Sequence, residues 1–281
     1  MSWISESSLT PFQKFCVNVI KCGPIPNHIA FIMDGNRRYA KKARVGKAEG
    51  HSKGFDKLSE CLKWCKELGV KEVTVYAFSI ENFKRSKDEV DGLMKLAKEK
   101  FQKLLGEKEK IMNEGVCIRI IGNLLLLPED LRKVIAEAML LTKDNNKAIL
   151  NVAFSYTSRD EIATSMKTIV DGVDQQHIQI DDISEELISQ CLYTNMSPDP
   201  DLLVRTSGEI RLSDFLLWQF CGQSSAYGTY SVVSLNTSGA TIVLKKIELQ
   251  REVIKGNDRV ERFLRDLREK RFSQLEIYAK A

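Results

Sequence analysis

The sequence predicts an α/β protein: a mostly parallel central sheet covered by helices on both faces, with helical appendages at the N- and C-terminal ends. Three observations predict it. Short apolar, β-branched runs alternate with longer segments of helical periodicity, as in strands joined by crossover helices. Two of these runs, residues 28–33 and 72–79, are nearly continuously apolar, as strands buried on both faces are. Both stop abruptly in clusters of polar residues, and the C-terminal ends of parallel strands are where such sheets place ligands.

Composition narrows the class. A chain of 281 residues that is 43% hydrophobic can bury one good core, and no repeat or linker divides it. Lys and Arg number 42 against 38 Asp and Glu, a net charge of +4. From Thr241 onward eleven basic residues face seven acidic ones, so the excess lies in the tail. A dedicated nucleic-acid binder, whose basic residues would concentrate on the fold itself, is therefore not expected. The seven cysteines are scattered, and the closest pair, Cys61 and Cys65, has no matching pair elsewhere. Reduced thiols are expected, without a zinc site or disulfide framework. No apolar run approaches the roughly 20 residues of a membrane span, so any membrane contact is expected to be peripheral. Four segments result: an amphipathic helix within 1–24, a catalytic domain over 25–219, a divergent, irregular segment over 220–256 that is uncharged as far as 244, and a charged helix over 257–281.

In chain order, Leu9, Phe12, Phe15, Cys16, Val19 and Ile20 recur at helical spacing, with Ser8 or Thr10 as the start and Gly23-Pro24 as the stop. The first strand ends in Asp34-Gly35-Asn36-Arg37-Arg38. One carboxylate can hold Mg²⁺ when phosphate oxygens and water complete the octahedron, and Gly35 allows close backbone approach. Asn36, Arg37 and Arg38 supply donors for phosphate oxygens where a helix begins near Asn36. A diphosphate with Mg²⁺ fits this set; an Asp-capped strand end with solvated arginines is the plainer alternative on local pattern.

Lys47 and the block Gly50-His51-Ser52-Lys53-Gly54 lead a helix running to Leu68, with Phe55, Leu58, Cys61, Leu62 and Cys65 on one face. The second strand, Glu72–Ser79, ends in Ser79, Glu81, Asn82 and Arg85. Two strands turning polar at the same end argue for one shared site. A single long helix is expected from Lys87 to Glu114, carrying Val90, Leu93, Met94, Ala97, Phe101, Leu104, Leu105 and Met112 as its stripe. Strands are expected over 117–122 and 148–154, with helices over 128–142 and 158–173, and a loop over 174–186 leads into a short helix.

The stretch 201–214 reads as strand, glycine turn and helix start, with Arg205, Arg211 and Ser213 able to converge on a second diphosphate and Ser213 as the helix N-cap. Residues 215–244 carry no charged side chain, and Tyr230–Leu235 and Thr241–Leu244 could form strands there. Val260, Phe263, Leu264, Leu267 and Leu275 form a last helical stripe that the tail cannot bury alone, so a partner or sister subunit is expected to cover it.

The motif HIAFIMDGNRRYAKK, the GHxxG block, FSxEN and RTSGExRxSxFLLWQ resemble, in the same order, the signature blocks of the cis-prenyltransferases, over about the first four-fifths of the chain. The resemblance is strongest to the eukaryotic branch. It implies a Mg²⁺-dependent transferase that condenses isopentenyl diphosphate onto farnesyl diphosphate to make a long polyprenyl diphosphate for dolichol and protein glycosylation. It implies Asp34 as the metal ligand, with Asp34, Asn36 and Asn82 catalytic. Gly35, Arg37, Arg38, Lys47, His51, Ser79 and Arg85 would bind the allylic substrate, and Arg205, Arg211 and Ser213 the isopentenyl one. Lys47 stands where the family commonly has arginine, which keeps the charge but loses the bidentate fork. The resemblance further implies a peripheral place on the cytoplasmic face of the endoplasmic reticulum. It also implies a heteromer in which a Nogo-B-receptor-like subunit supplies a C-terminal Arg-x-Gly element that this chain lacks. After Gln219 the family's Trp-Pro turn is missing. That departure sustains an alternative, a catalytically impaired variant acting as a non-catalytic interaction subunit. Asp181-Asp182 lacks the spacing of the DDxxD element found in the all-helical trans-prenyltransferases.

Overall fold

The structure is a computed structural model that describes residues 9–209, 211–221, 232–236, 239–243 and 257–281, with the side chains of 47, 48 and 221–256 outside that description. Its centre is a sheet of seven strands: β1 (His28–Ile32), β2 (Glu72–Ser79), β3 (Val116–Ile121), β4 (Ala148–Tyr156), β5 (Leu202–Thr206), β6 (Val232–Asn236) and β7 (Gly239–Val243). They lie in the order β3-β4-β2-β1-β5-β6-β7. All neighbours run parallel except β6 and β7, which form an antiparallel pair at one edge. The uncharged segment thus contributes strands over 232–236 and 239–243, the first pairing directly with β5; the rest of 220–256 lies outside the described residues.

Strand β1 is the switch point. Its two neighbours, β2 and β5, are reached in opposite directions across the sheet, which opens a crevice at its C-terminal end. Alternation along the strands separates two cores. Ile29, Val73, Val75 and Phe78 pack with Leu58 and Cys65 of α3 (Lys47–Leu68), Met94, Phe101 and Leu104 of α4 (Lys87–Gly106), and Leu131 and Ile135 of α6 (Glu129–Thr142). Ala30, Ile32, Ala153 and Leu203 pack on the other side with Tyr156, Phe215, Leu216 and Phe220.

On the same face as this second core a polar seam crosses β1, β2 and β4. His28 Nε2 lies 2.7 Å from Thr74 Oγ1, and the Asn151 amide donates to Glu72 (2.5 Å) and Thr74 (3.0 Å). Burial pushes the His28 pKa down against the opposing pull of Glu72. Hydrogen bonding within the seam offsets the cost of burying these groups.

Several expectations need correction. Cys61 is exposed, while Ser59 is buried on the packed side of α3. The helix predicted over 87–114 is two: α4 stops at Gly106, and α5 (Lys108–Glu114) starts after Glu107, whose backbone leaves the helical region (φ −102°, ψ 29°). Gly106 holds a helix weakly, and beyond the break Ile111 is buried while Met112 is 41% exposed. In α1 (Pro11–Lys21), started by a Thr10–Gln13 capping box, only Val17 is buried; Phe12, Phe15, Val19 and Ile20 face outward.

The terminal stripe is also covered differently from the expectation. In α10 (Asp258–Lys280), Phe263 and Leu264 pack within the chain against Ile169 of α7 (Ser158–Asp174), Leu187 and Cys191 of α8 (Glu185–Cys191), and Ile178 between them. Gly172 makes room, because a Cβ there would meet the Phe263 ring at 2.6 Å. Arg259 fastens the helix start to Asp182 through two hydrogen bonds of 2.9 Å. The tail needs no second chain to bury these side chains.

Candidate active site

Ile32, the last residue of β1, lies in register between Tyr76 of β2 and Arg205 of β5. The chain then turns at Asp34-Gly35 into α2 (Asn36–Ala43). Two hydroxyls at the end of β5 and just beyond it hold this turn. Thr206 Oγ1 accepts from the Asp34 N–H (2.9 Å) and donates to its carbonyl (2.8 Å), and Ser207 Oγ donates to the same carbonyl (2.9 Å). Gly35 has φ 94°, and a Cβ there would run into Ser207 Oγ, so the motif needs glycine on both counts.

The Asp34 carboxylate accepts from Arg205 (2.9 Å) and has Arg38 at 3.9 Å. Burial opposes its ionisation. Hydrogen bonds from Arg205 and the Gly35 N–H, with the charges of Arg205 and Arg38, outweigh burial and hold the carboxyl below its ordinary value. Arg205 is 5% exposed and also donates to Ser213 Oγ (2.8 Å) and the Arg211 carbonyl.

These groups open onto a cavity of ≈ 500 Å³. Asp34, Asn36, Arg37 and His51 line one side; Ser79, Asn82 and Arg85 line another; Arg205 and Ser213 close it. Ser79 and Asn82 are held by a reciprocal cap: Ser79 Oγ accepts from the Glu81 N–H and Asn82 Oδ1 from the Ser79 N–H, both at 3.2 Å. Arg85 is oriented by Glu89 at 3.1 Å. Asn36 is placed by the GHxxG glycines, which let α3 ride close to α2. A Cβ on Gly50 would meet the Asn36 carbonyl at 2.8 Å, and one on Gly54 would meet Asn36 Oδ1 at 2.5 Å. Met33, Asn36, His51 and Phe78 also line a narrower apolar cavity of ≈ 110 Å³, which continues beside Phe55, Leu93 and Phe101. A polar head site thus adjoins an apolar slot.

Two predicted residues stand apart, and a third has no described side chain. Arg38 is exposed beside Asp34 and does not line the cavity. Arg211 is 76% exposed and pairs with Glu209 at 3.0 Å, contributing only its carbonyl to Arg205. The Lys47 side chain lies outside the described residues. Ser213 is no N-cap: it and Asp214 have positive φ (52° and 58°), and the helix α9 starts only at Leu217 (Leu217–Cys221), whose N–H donates to Ser158 Oγ (2.7 Å). The Ser213 hydroxyl is held by Arg205 instead.

Other residues were not anticipated. Thr206 and Ser207, inside the RTSG motif, position Asp34. Tyr76 and Asp214 line the cavity, and burial pushes the Tyr76 phenol up to about 12. Arg159 bridges Asp214 (2.7 Å) and Glu81 (3.5 Å), tying the loop after β5 to the one after β2. Its contacts span 55 and 78 residues of sequence, so no local pattern reveals them.

Among the described residues no cluster of three His, Cys, Asp or Glu side chains could cage a metal. Mg²⁺, which keeps several waters and shares phosphate oxygens, needs as few as one protein carboxylate. Asp34 fits that requirement.

The chain belongs to the cis-prenyltransferase family. Residues 32–232 match the family profile described as "Putative undecaprenyl diphosphate synthase". Among relatives, it is 62% identical over 219 residues to the dehydrodolichyl diphosphate synthase complex subunit DHDDS of Homo sapiens, covering 78% of this chain and 66% of that one. The match thus spans just under two thirds of that relative. A tritrans,polycis-undecaprenyl-diphosphate synthase (geranylgeranyl-diphosphate specific) of Pyrococcus horikoshii is 46% identical, over 74% of this chain and 78% of its own. Of solved structures, lavandulyl diphosphate synthase from Lavandula x intermedia, in complex with dimethylallyl diphosphate, superposes with TM-score 0.65 and 36% identity, covering 69% of this chain and 83% of that one. No helix among the described residues is long and apolar enough to cross a membrane.

Proposed function

We propose that the chain is the catalytic subunit of a Mg²⁺-dependent cis-prenyltransferase that extends farnesyl diphosphate with isopentenyl diphosphate to a long polyprenyl diphosphate for dolichol. The observation that carries this reading is the Asp34–Arg205 pair at the mouth of a polar cavity that adjoins an apolar slot. Asp34 would hold Mg²⁺ with diphosphate oxygens and water, and the ion would neutralise charge on the leaving diphosphate. Asn36, Arg37, His51, Asn82 and Arg85 would bind and orient the allylic diphosphate, with Arg38 and Lys47 adding charge nearby. Arg205 and Ser213 would bind the incoming diphosphate, and Arg211 would join them by swinging in from solvent. Catalysis is then mostly positioning and electrostatic stabilisation.

For assembly, the complex-subunit name of the human relative supports a heteromer. We place a Nogo-B-receptor-like subunit beside this chain at the endoplasmic reticulum surface, held peripherally.

Incorporation of labelled isopentenyl diphosphate into farnesyl diphosphate, with Mg²⁺ and with or without that partner, tests the reading. Long-chain product lost in Asp34→Ala supports it. No product from a folded, partner-bound protein would leave the non-catalytic interaction subunit.

A further inference from the structure

A second cavity, of ≈ 320 Å³, lies between the C-terminal half of α10, α6 and the edge strand β3. It shares no lining residue with the diphosphate cavity. Its size falls within the roughly 300–1,000 Å³ of small-molecule sites. Its walls are mainly apolar, with Ile121, Met139, Phe272 and Leu275 prominent.

The charges around it are one-sided. Arg119, Lys143, Arg268 and Arg271 line it, and no Asp or Glu does. Arg119 is half-buried and donates to the Met196 carbonyl (3.1 Å) and Ser197 Oγ (3.5 Å). Arg271 donates to the carbonyls of Cys191 (2.6 Å) and Leu192 (3.0 Å), and burial lowers its pKa. No ion pair joins either guanidinium to a carboxylate among the described residues. Each has five N–H donors, so both keep donors in reserve. At the floor, Asn151 is fully buried, and its Oδ1 has no hydrogen-bond partner.

We propose that this cavity binds a single-chain anionic amphiphile, its head on Arg119 and Arg271 and its chain along Phe272, Leu275 and Met139. A purely apolar guest would leave the lining guanidinium groups unanswered, and a purely polar anion would leave the apolar wall uncovered. Charge-assisted, forked pairing of guanidinium with carboxylate or phosphate supplies the selectivity. The plainer role of both arginines is to tie down the loop after α8. That role predicts no ligand.

The test is calorimetric titration of the full chain with two probes of this chemistry, myristate and tetradecyl phosphate, beside uncharged tetradecanol. Saturable one-to-one binding of either anion is expected, at least about tenfold tighter than the alcohol. Which anion binds shows whether a carboxylate or a phosphate is the natural head. Lys143→Glu changes an exposed side chain that the fold does not need, and it should weaken the anion by about tenfold while sparing the thermal midpoint. Arg119→Gln should weaken it further, and Asp34→Ala, at the other cavity, should leave it unchanged. Absence of saturable binding, equal affinity for tetradecanol, or loss in Asp34→Ala with Lys143→Glu unaffected would each overturn the proposal.

Discussion

Asp34 Oδ2 and the guanidinium of Arg205 are 2.9 Å apart, joining the turn after β1 to the end of β5. The pair has a functional consequence, because the proposed metal ligand and a proposed anchor for the second diphosphate satisfy each other when the cavity is empty. On the proposed roles, ligand oxygens arriving at Arg205 would release Asp34, and a cation arriving at Asp34 would release Arg205. Mg²⁺ with allylic diphosphate should therefore tighten binding of the isopentenyl diphosphate, and the reverse, by the same factor. Equilibrium titration of each in the presence of the other measures this. Asp34→Asn keeps the shape and removes the charge; it should lower turnover about 10²–10³-fold and reduce the coupling. Unchanged turnover in Asp34→Asn would count against the metal role.

Gly54→Ala should act through Asn36. The added Cβ would sit 2.5–2.8 Å from the Asn36 side-chain amide, so the amide must leave the cavity wall or α3 must shift away from α2. Overpacking of this kind costs about 1–3 kcal/mol. The expected result is a modest fall in thermal midpoint with a larger loss of allylic-substrate affinity. Gly46→Ala is the control, since nothing lies within 4 Å of the Cβ it would add. Equal effects from the two substitutions would show that Asn36 is not placed by this packing.

Much of this was legible in the sequence, because local physics carries it. The strand β2 runs from Glu72 to Ser79 as read, since its mostly apolar run gives way to a polar cluster at Ser79. Asp34, Asn82 and Arg205 line one cavity because parallel strands deliver their C-terminal ends to one place, and helix α3 adds His51 to it. What escaped was decided by tertiary contact. Ser213 has the side chain of an N-cap, but Arg205 claims its hydroxyl and the backbone there is left-handed. The stripe of α10 has the look of a face awaiting a partner, and only the fold shows that Gly172 had left space for Phe263. Arg159 bridges loops that are distant in the chain, a relation that periodicity does not encode.

The polar seam makes stability depend on pH through His28. Burial depresses its pKa in the folded protein below the ordinary value of 6.5, against the opposing influence of Glu72. Between those two pKa values the unfolded chain binds more protons than the folded one. Stability contributed by the neutral imidazole is thus fully present above 6.5 and falls as pH drops toward the depressed value. Chemical denaturation from pH 7.5 downward should show that decline. His28→Asn, which can still meet Thr74, should flatten it at some cost in stability at neutral pH. A slope that survives this substitution would assign the effect to other groups.

The tail offers the last prediction, and it separates a structural role from partner binding. Phe263 is 7% exposed and Leu264 5% exposed, and they cover Ile169, Ile178 and Leu187, each 2% exposed. Phe263→Ala in such a site should cost about 3–5 kcal/mol, read as a lower denaturation midpoint in the isolated chain. Breaking the Arg259–Asp182 pair by Arg259→Gln should cost less, because the arginine is exposed and solvent screens the pair. Were α10 to serve only as a docking element, Phe263→Ala would leave the isolated chain as stable as before and weaken only assembly with the second subunit. Packing of the ring into the space left by Gly172 argues for the first outcome, and Gly172→Ala, which closes that space, should reproduce it.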